Sequence, residues 1–113
     1  MDKQKVFDFR KRRLIMDENC HFEVPQYADA YWNDLADFIA SDIPGAIKFM
    51  CEDPDCDGET FADWSSVFDV VARKTQSREF VEARKVAARR FPEACAKYSI
   101  QAFIEFAEDE LFD

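Results

Sequence analysis

The chain has 113 residues, of which 48% are hydrophobic and 35% are charged, and its net charge is -9 at neutral pH. This length fits one domain with a single core, and the apolar fraction excludes an intrinsically disordered chain. The charged fraction and the lack of an apolar run of roughly 20 residues exclude a membrane-spanning segment, and the N-terminus has no signal-peptide pattern. We therefore expect one soluble domain, residues 1–113, in the cytoplasm.

The charges are distributed in blocks along the sequence. Residues 1–16 carry six bases and two acids, whereas residues 17–63 carry thirteen acids and one base. Residues 64–100 carry eight bases and four acids, and residues 101–113 carry five acids. Because the acidic block would repel phosphates, this distribution predicts a basic protein partner and no direct binding of nucleic acid.

The N-terminal 16 residues combine a basic run, residues 10–13, with Val6, Phe7 and Phe9. A nucleic-acid patch would not be expected beside so acidic a block. We therefore interpret the segment as an N-terminal arm or a short helix packed by its aromatic residues. Residues 17–25 have no clear period, which predicts a loop.

A helical pattern begins at Gln26 and places apolar and polar side chains on opposite faces. Asp42 is then predicted to cap a second, short helix that has Pro44 in its first turn. This helix should end near Asp53, because the residue before Pro54 is driven out of helical geometry. The first helix has Tyr27, Tyr31, Leu35, Phe38 and Ile39 on its apolar face and Asp29, Asn33 and Asp37 on the other.

The most acidic stretch, residues 51–60, has the sequence CEDPDCDGET and is predicted to be a loop. Its residues Asp53, Asp55, Asp57 and Gly58 match the first half of a calcium-binding EF-hand loop. The twelfth position, which should supply a bidentate glutamate, is Trp64. We therefore expect no calcium site, and we interpret the stretch as an acidic connector whose carboxylates stay unneutralised.

The second half of the chain continues the helical pattern. Thr60 is predicted to cap a third helix with an apolar stripe, and Ser77 a fourth helix that runs to about Phe91. Pro92 should open a short helical turn through Cys95, and Ser99 should cap the last helix. The stripe of the third helix consists of Phe61, Trp64, Phe68, Val71 and Ala72.

No segment alternates at period two for long enough to be a strand. The sequence therefore predicts an all-α, single-domain bundle of five or six short helices. Arg84 falls on the apolar face of the fourth helix, where we expect its stem to cover apolar surface and its head to reach water or a carboxylate.

Catalytic and cofactor chemistry find little support in the sequence. The one histidine, His21, has no nucleophile suitably placed in sequence, and two glycines are too few for a phosphate-binding loop. The four cysteines, Cys20, Cys51, Cys56 and Cys95, are not spaced as zinc ligands and are interpreted as reduced thiols. We expect neither an enzyme nor a cofactor.

The candidate partner-binding surface is acidic. One patch comes from the central loop and the neighbouring helix faces, and a second comes from the outer face of the last helix. The residues are Asp29, Asp37, Glu52, Asp53, Asp55, Asp57, Glu59 and Asp63 in the first patch, and Glu105, Glu108 and Asp109 in the second.

Three segments resemble the small helical immunity proteins of bacterial contact-dependent growth-inhibition systems. They are residues 31–39 (YWNDLADFI), 42–44 (DIP) and 67–81 (VFDVVARKTQSREFV), and the resemblance covers about residues 27–107. It implies a cytoplasmic antidote that binds and blocks the C-terminal toxin domain of its cognate effector, often a nuclease with a basic cleft. No catalytic residues carry over, because such proteins act by covering a surface.

Two alternatives remain open from the sequence. An acidic mimic of nucleic acid could inhibit another DNA- or RNA-binding enzyme, although the basic block at residues 64–100 argues against carboxylates over the whole surface. A degenerate EF-hand-like calcium-binding protein is the other alternative.

Overall fold

The computed structural model describes residues 1–18, 25–100 and 110–111. Within these ranges there are seven helices and no strand, which confirms the all-α prediction with one or two helices more than expected. The helices are α1 (Lys3–Glu18), α2 (Pro25–Ala40), α3 (Ile43–Glu52), α4 (Gly58–Ser65), α5 (Phe68–Thr75), α6 (Arg78–Ala88) and α7 (Pro92–Tyr98).

The N-terminal segment is a full helix of 16 residues, so the helical interpretation was right but the predicted length was too short. Its Val6 is buried, and the Phe9 ring lies 6.0 Å from that of Tyr31 and 5.3 Å from that of Phe38. Phe7 points outward. The predicted loop at residues 17–25 was wrong at both ends, because α1 runs through residue 18 and α2 begins at Pro25.

The helices α2 and α3 follow the predicted pattern closely. Tyr31, Leu35 and Ile39 of α2 are buried, whereas Asp29, Asn33 and Asp37 are exposed; the side chain of Tyr27 lies outside the described residues. The Asp42 carboxylate accepts the Gly45 N–H at 3.1 Å, which confirms the predicted cap. Asp53 is extended, with φ -77° and ψ 128°, as a residue before proline should be.

The predicted cap at Thr60 was wrong. Asp57, in an extended conformation, caps α4 by accepting the Thr60 N–H at 2.8 Å, and the helix begins at Gly58. Both residue types are good N-caps, and the extended backbone of Asp57 places its carboxylate over the first turn. Thr60 is therefore a buried residue of that turn, not its cap.

The single predicted helix from residue 60 to the Thr75 region is two helices, α4 and α5. The last turn of α4 tightens, since the Ser66 N–H bonds to the Asp63 carbonyl and the Val67 N–H to the Trp64 carbonyl, each three residues back. The predicted stripe nevertheless stays buried on both sides of the break. The Phe61 and Phe68 ring centroids are 5.6 Å apart across it.

Ser77 caps α6 by accepting the Phe80 N–H at 3.1 Å, as predicted, but α6 ends at Ala88 and not near Phe91. α7 extends three residues beyond the predicted turn, to Tyr98. Ser99 ends α7 in the left-handed conformation, with φ 53°. The last helix that we predicted after Ser99 lies largely outside the described residues.

The core forms where the helices pack in pairs: α3 on α6, α2 on α5, α4 on α7, and α1 on α2. Arg84 is wholly buried in this core. Of the two environments expected for its head, water or a carboxylate, water is therefore excluded. The guanidinium carbon of Arg84 lies 5.0 Å from the centroid of the Phe68 ring. The buried cation therefore faces an aromatic ring, a favourable arrangement for a desolvated guanidinium.

Candidate functional site

The central loop is pinned to the N-terminal helix by an ion-pair cluster. Lys3 Nζ lies 3.0 Å from an oxygen of Asp53 and 3.0 Å from an oxygen of Asp55. Asp53 also accepts the backbone N–H of Asp55 at 2.9 Å. This backbone bond and the Lys3 ammonium hold the pKa of Asp53 below its usual value. The turn is thus closed by its own first carboxylate and by a base from α1.

Arg10 connects α1 to the beginning of α4. Its Nη1 donates to the two carboxylate oxygens of Asp57 at 2.5 and 2.6 Å and to the Thr60 hydroxyl at 2.5 Å. Partial burial raises the pKa of Asp57, but hydrogen bonds from Arg10 and from the Thr60 backbone outweigh it, so the pKa is lowered. Asp57 therefore has two roles, as a helix cap and as an ion-pair partner.

Asp63 lies deeper, between α1, α2 and α4. Arg13 Nε donates to it at 3.2 Å and the Tyr31 hydroxyl at 3.4 Å. Burial raises the pKa of Asp63 despite the charge and hydrogen bond of Arg13, and burial also raises the pKa of Tyr31. A half-buried, already bonded carboxylate is poorly placed to meet a partner, so Asp63 and the equally half-buried Asp53 fit the predicted surface less well than the exposed Asp55, Asp57 and Glu59.

The remaining candidates of the first patch lie on helix surfaces. Asp29 and Glu52 are exposed. Asp37 is also exposed and forms an ion pair with Lys74 of α5. Glu59 accepts the hydroxyl of Tyr98 at 2.9 and 3.0 Å and has Lys97 Nζ 3.9 Å away. Glu105, Glu108 and Asp109 of the second patch lie outside the described residues.

The interpretation of the loop as an unneutralised connector was wrong for Asp53, Asp55 and Asp57. Their partners are Lys3 and Arg10, which lie 47 to 52 residues away in sequence. Sequence reasoning missed these bases because it treated the basic segment as a separate arm. The signal was the charge itself, since six bases in residues 1–16 precede the most acidic block of the chain.

The aspartates that match an EF-hand loop are used for local turns, caps and ion pairs. Asp53 and Asp57 turn their carboxylates to backbone N–H groups and to bases of α1, which are the interactions of turns and caps. Trp64, at the position of the closing ligand, is buried and packs against Phe49 with ring centroids 5.3 Å apart. In the described part of the chain, no three side chains of metal-binding type converge.

Three cysteines lie in described residues, and all three are free thiols, as predicted. Cys56, in the central loop, is the most buried of them, and burial raises its pKa to about 12. Such a thiol is a poor nucleophile at neutral pH. Cys20 and His21 lie outside the described residues.

Comparison of the chain with family models, curated proteins and solved structures found no match. The resemblance to immunity proteins therefore stays a prediction, and the function has to be argued from the surface itself. Within the described ranges, no helix is both long and apolar enough to cross a bilayer.

Proposed function

We propose that this chain is a cytoplasmic immunity protein without catalytic activity. It binds the C-terminal toxin domain of a cognate contact-dependent growth-inhibition effector, a nuclease, and covers a basic surface of that domain with carboxylates. The observation that carries the proposal is the exposure of paired carboxylates. Asp55, Asp57 and Glu59 keep 48%, 55% and 61% of their side-chain surface exposed although each meets a base of its own chain.

Exposed ion pairs leave such carboxylates available. A pair of this kind contributes only about 0–1 kcal/mol, because water and salt screen it and long side chains lose freedom in forming it. A carboxylate also has lone pairs for more than one donor. A base of the partner can therefore join Lys3 or Lys97, or replace it, at little cost.

The internal pairs also prepare the surface for binding. Asp53 and Asp57 each accept a backbone N–H. Each also pairs with a base of α1, so both carboxylates are held in one orientation. Fixed side chains lose less entropy on association, which favours affinity. A field of exposed carboxylates steers a basic partner, and such steering raises association rates toward roughly 10⁸ M⁻¹s⁻¹.

The proposal requires an effector gene next to the gene of this chain, and the test uses an inactivated form of the toxin domain of that effector. Asp55→Asn with Glu59→Gln removes two exposed charges without removing a helix cap. Glu79→Gln with Glu82→Gln on α6, also exposed, removes the same charge elsewhere and is the matched control. We expect the first double variant to bind about 10-fold more weakly in calorimetry, mainly through slower association at low salt.

Growth supplies the second measurement. Cells that produce the active toxin domain should grow when they also produce the wild-type chain, and the control variant should protect them equally well. Lack of binding and of protection by the wild-type chain would contradict the proposal. Equal affinity of both double variants for the toxin domain would show that the interface does not include the central loop.

A further inference from the structure

Glu59 of α4 and Tyr98 of α7 form a ridge on the surface, which we call the Glu59–Tyr98 ridge. The Tyr98 hydroxyl donates to both carboxylate oxygens of Glu59. Tyr98 keeps 37% of its surface exposed, which is high for a large aromatic residue. The ridge therefore presents a fixed carboxylate beside an accessible aromatic ring.

A groove runs along each side of this ridge. One, of about 540 Å³, lies between α1 and α4, where Leu14 and Ala62 line it together with the charged side chains of Arg10, Arg13 and Asp63. The other, of about 530 Å³, lies between α4 and α7 and includes Phe91, Pro92 and Lys97. Glu59 and Tyr98 line both grooves. Leu14 is 59% exposed, so an apolar side chain lies open beside the carboxylate.

The ridge already holds a cation of its own, but loosely. Lys97 Nζ is 3.9 Å from the Glu59 carboxylate and 5.0 Å from the centroid of the Tyr98 ring. Lys97 keeps 68% of its side chain exposed. A guanidinium suits the same place better than an ammonium, because it bonds a carboxylate through two N–H groups and stacks on an aromatic ring.

We propose that the Glu59–Tyr98 ridge is the anchor of the partner interface and takes an arginine of the partner, with an adjacent aliphatic side chain entering the groove beside Leu14. This proposal rests on the proposed function, whose basic partner supplies the arginine. The Glu59 carboxylate selects a cation as the occupant, because the neighbouring Arg10 and Arg13 are already paired with Asp57 and Asp63. An exposed tyrosine beside an apolar side chain is typical of the residues that dominate binding energy.

The acidic face of α2 is the competing location. Asp34 and Asp37 lie there in ion pairs with Arg12 and Lys74, and neither residue lines either groove. This face therefore offers charge away from the two grooves. It should therefore contribute to association rate and little to residence time.

Calorimetry with the inactivated toxin domain separates the two locations. Tyr98→Ala should weaken binding about 30-fold, as the loss of a central aromatic anchor does. Tyr98→Phe, which keeps the ring and loses the hydroxyl, should weaken binding less. Asp34→Asn with Asp37→Asn tests the competing location and should slow association more than it speeds dissociation. Glu79→Gln with Glu82→Gln is the control, and it should stay within about 3-fold of wild type. Thermal unfolding of each variant checks that the fold is retained.

A second probe does not depend on the toxin domain. The peptide acetyl-Arg-Leu-Arg-amide, titrated into isotope-labelled protein, should shift the NMR signals of Leu14, Glu59 and Tyr98 before those of Asp34 and Asp37. If the wild-type chain binds the toxin domain and Tyr98→Ala binds equally well, this inference is overturned and the proposed function stands. If the wild-type chain does not bind the domain, both are overturned.

Discussion

At the scale of single residues, substitution of Asp57 should have a clear effect on stability. This residue caps α4 and pairs with Arg10, so its two roles can be separated by substitution. Asp57→Ala removes both and should lower the free energy of unfolding by about 1–2 kcal/mol. Asp57→Asn keeps a capping oxygen and removes only the charge, so it should cost less. Urea unfolding at pH 7 measures both.

The pH dependence of the same residue has a definite sign. The pKa of Asp57 is lowered in the folded protein, so its charge stabilises the fold above the ordinary aspartate pKa of about 3.9. That contribution is lost as the pH falls through the lowered pKa. The difference between wild type and Asp57→Asn should therefore shrink as the pH falls below about 4. A difference independent of pH between 7 and 2 would contradict the assigned ion pair.

At the scale of helices, two non-glycine residues among those that the structure describes end helices in the left-handed conformation. Gln76 ends α5 with φ 52°, and Ser99 ends α7 with φ 53°. Glycine adopts this conformation without strain. Ser99→Gly should therefore raise the free energy of unfolding by about 0.5–1 kcal/mol, after the entropy of the unfolded glycine is counted.

Gln76→Gly is the matched comparison. The Gln76 amide donates to the carbonyls of Ala72, Arg73 and Glu110, at 3.3, 3.1 and 2.9 Å, and the glycine variant loses all three bonds. The relief of backbone strain in Gln76→Gly should therefore be offset by the lost hydrogen bonds, so the free energy of unfolding should change little. Thermal unfolding measures the stability of both variants. A larger increase in stability for Gln76→Gly than for Ser99→Gly would contradict the role assigned to the Gln76 hydrogen bonds.

Three helix ends fixed by local chemistry were predicted correctly, although the cap of α4 was placed at Thr60 and not at Asp57. Asp42, Ser77 and the extended Asp53 act within three residues of themselves, so the sequence pattern was sufficient to place them. The break between α4 and α5 was missed because the apolar stripe continues across it. The length of α1 was missed because its stability comes from packing on α2, which no local pattern reveals.

The sequence predicted which carboxylates belong to the candidate site, but not which of them form ion pairs within the chain. Six of the eight carboxylates that we named for the first patch are exposed, and Asp53 and Asp63 are half-buried. Which of them carries an internal base depends on contacts between segments 37 to 52 residues apart. The Glu59–Tyr98 ridge has the same origin, since α4 and α7 must pack before the two side chains can meet. Sequence spacing alone predicts neither the ion pairs with α1 nor the contact between Glu59 and Tyr98.

At the scale of the whole molecule, α1 acts as an internal counter-charge to the acidic block. Its bases reach the loop, α2 and α4 through Lys3, Arg10, Arg12 and Arg13. Without them the carboxylates of residues 53–63 would face one another and repel. We therefore expect the fold to depend on these particular bases, and not only on net charge.

A pair of double variants tests this dependence. Lys3→Gln with Arg10→Gln removes two bases that pair with the loop and α4, whereas Lys5→Gln with Lys11→Gln removes two exposed bases of the same helix. At about 20 mM salt the first variant should have the lower urea midpoint, because it loses the attraction between both bases and the carboxylates of the loop and α4. At 1 M salt, where the Debye length is about 3 Å, repulsion is screened and its deficit should shrink. Equal midpoints of the two variants at both salt concentrations would show that net charge alone matters, and α1 would then stabilise the fold only through Val6, Phe9 and Met16 in the core.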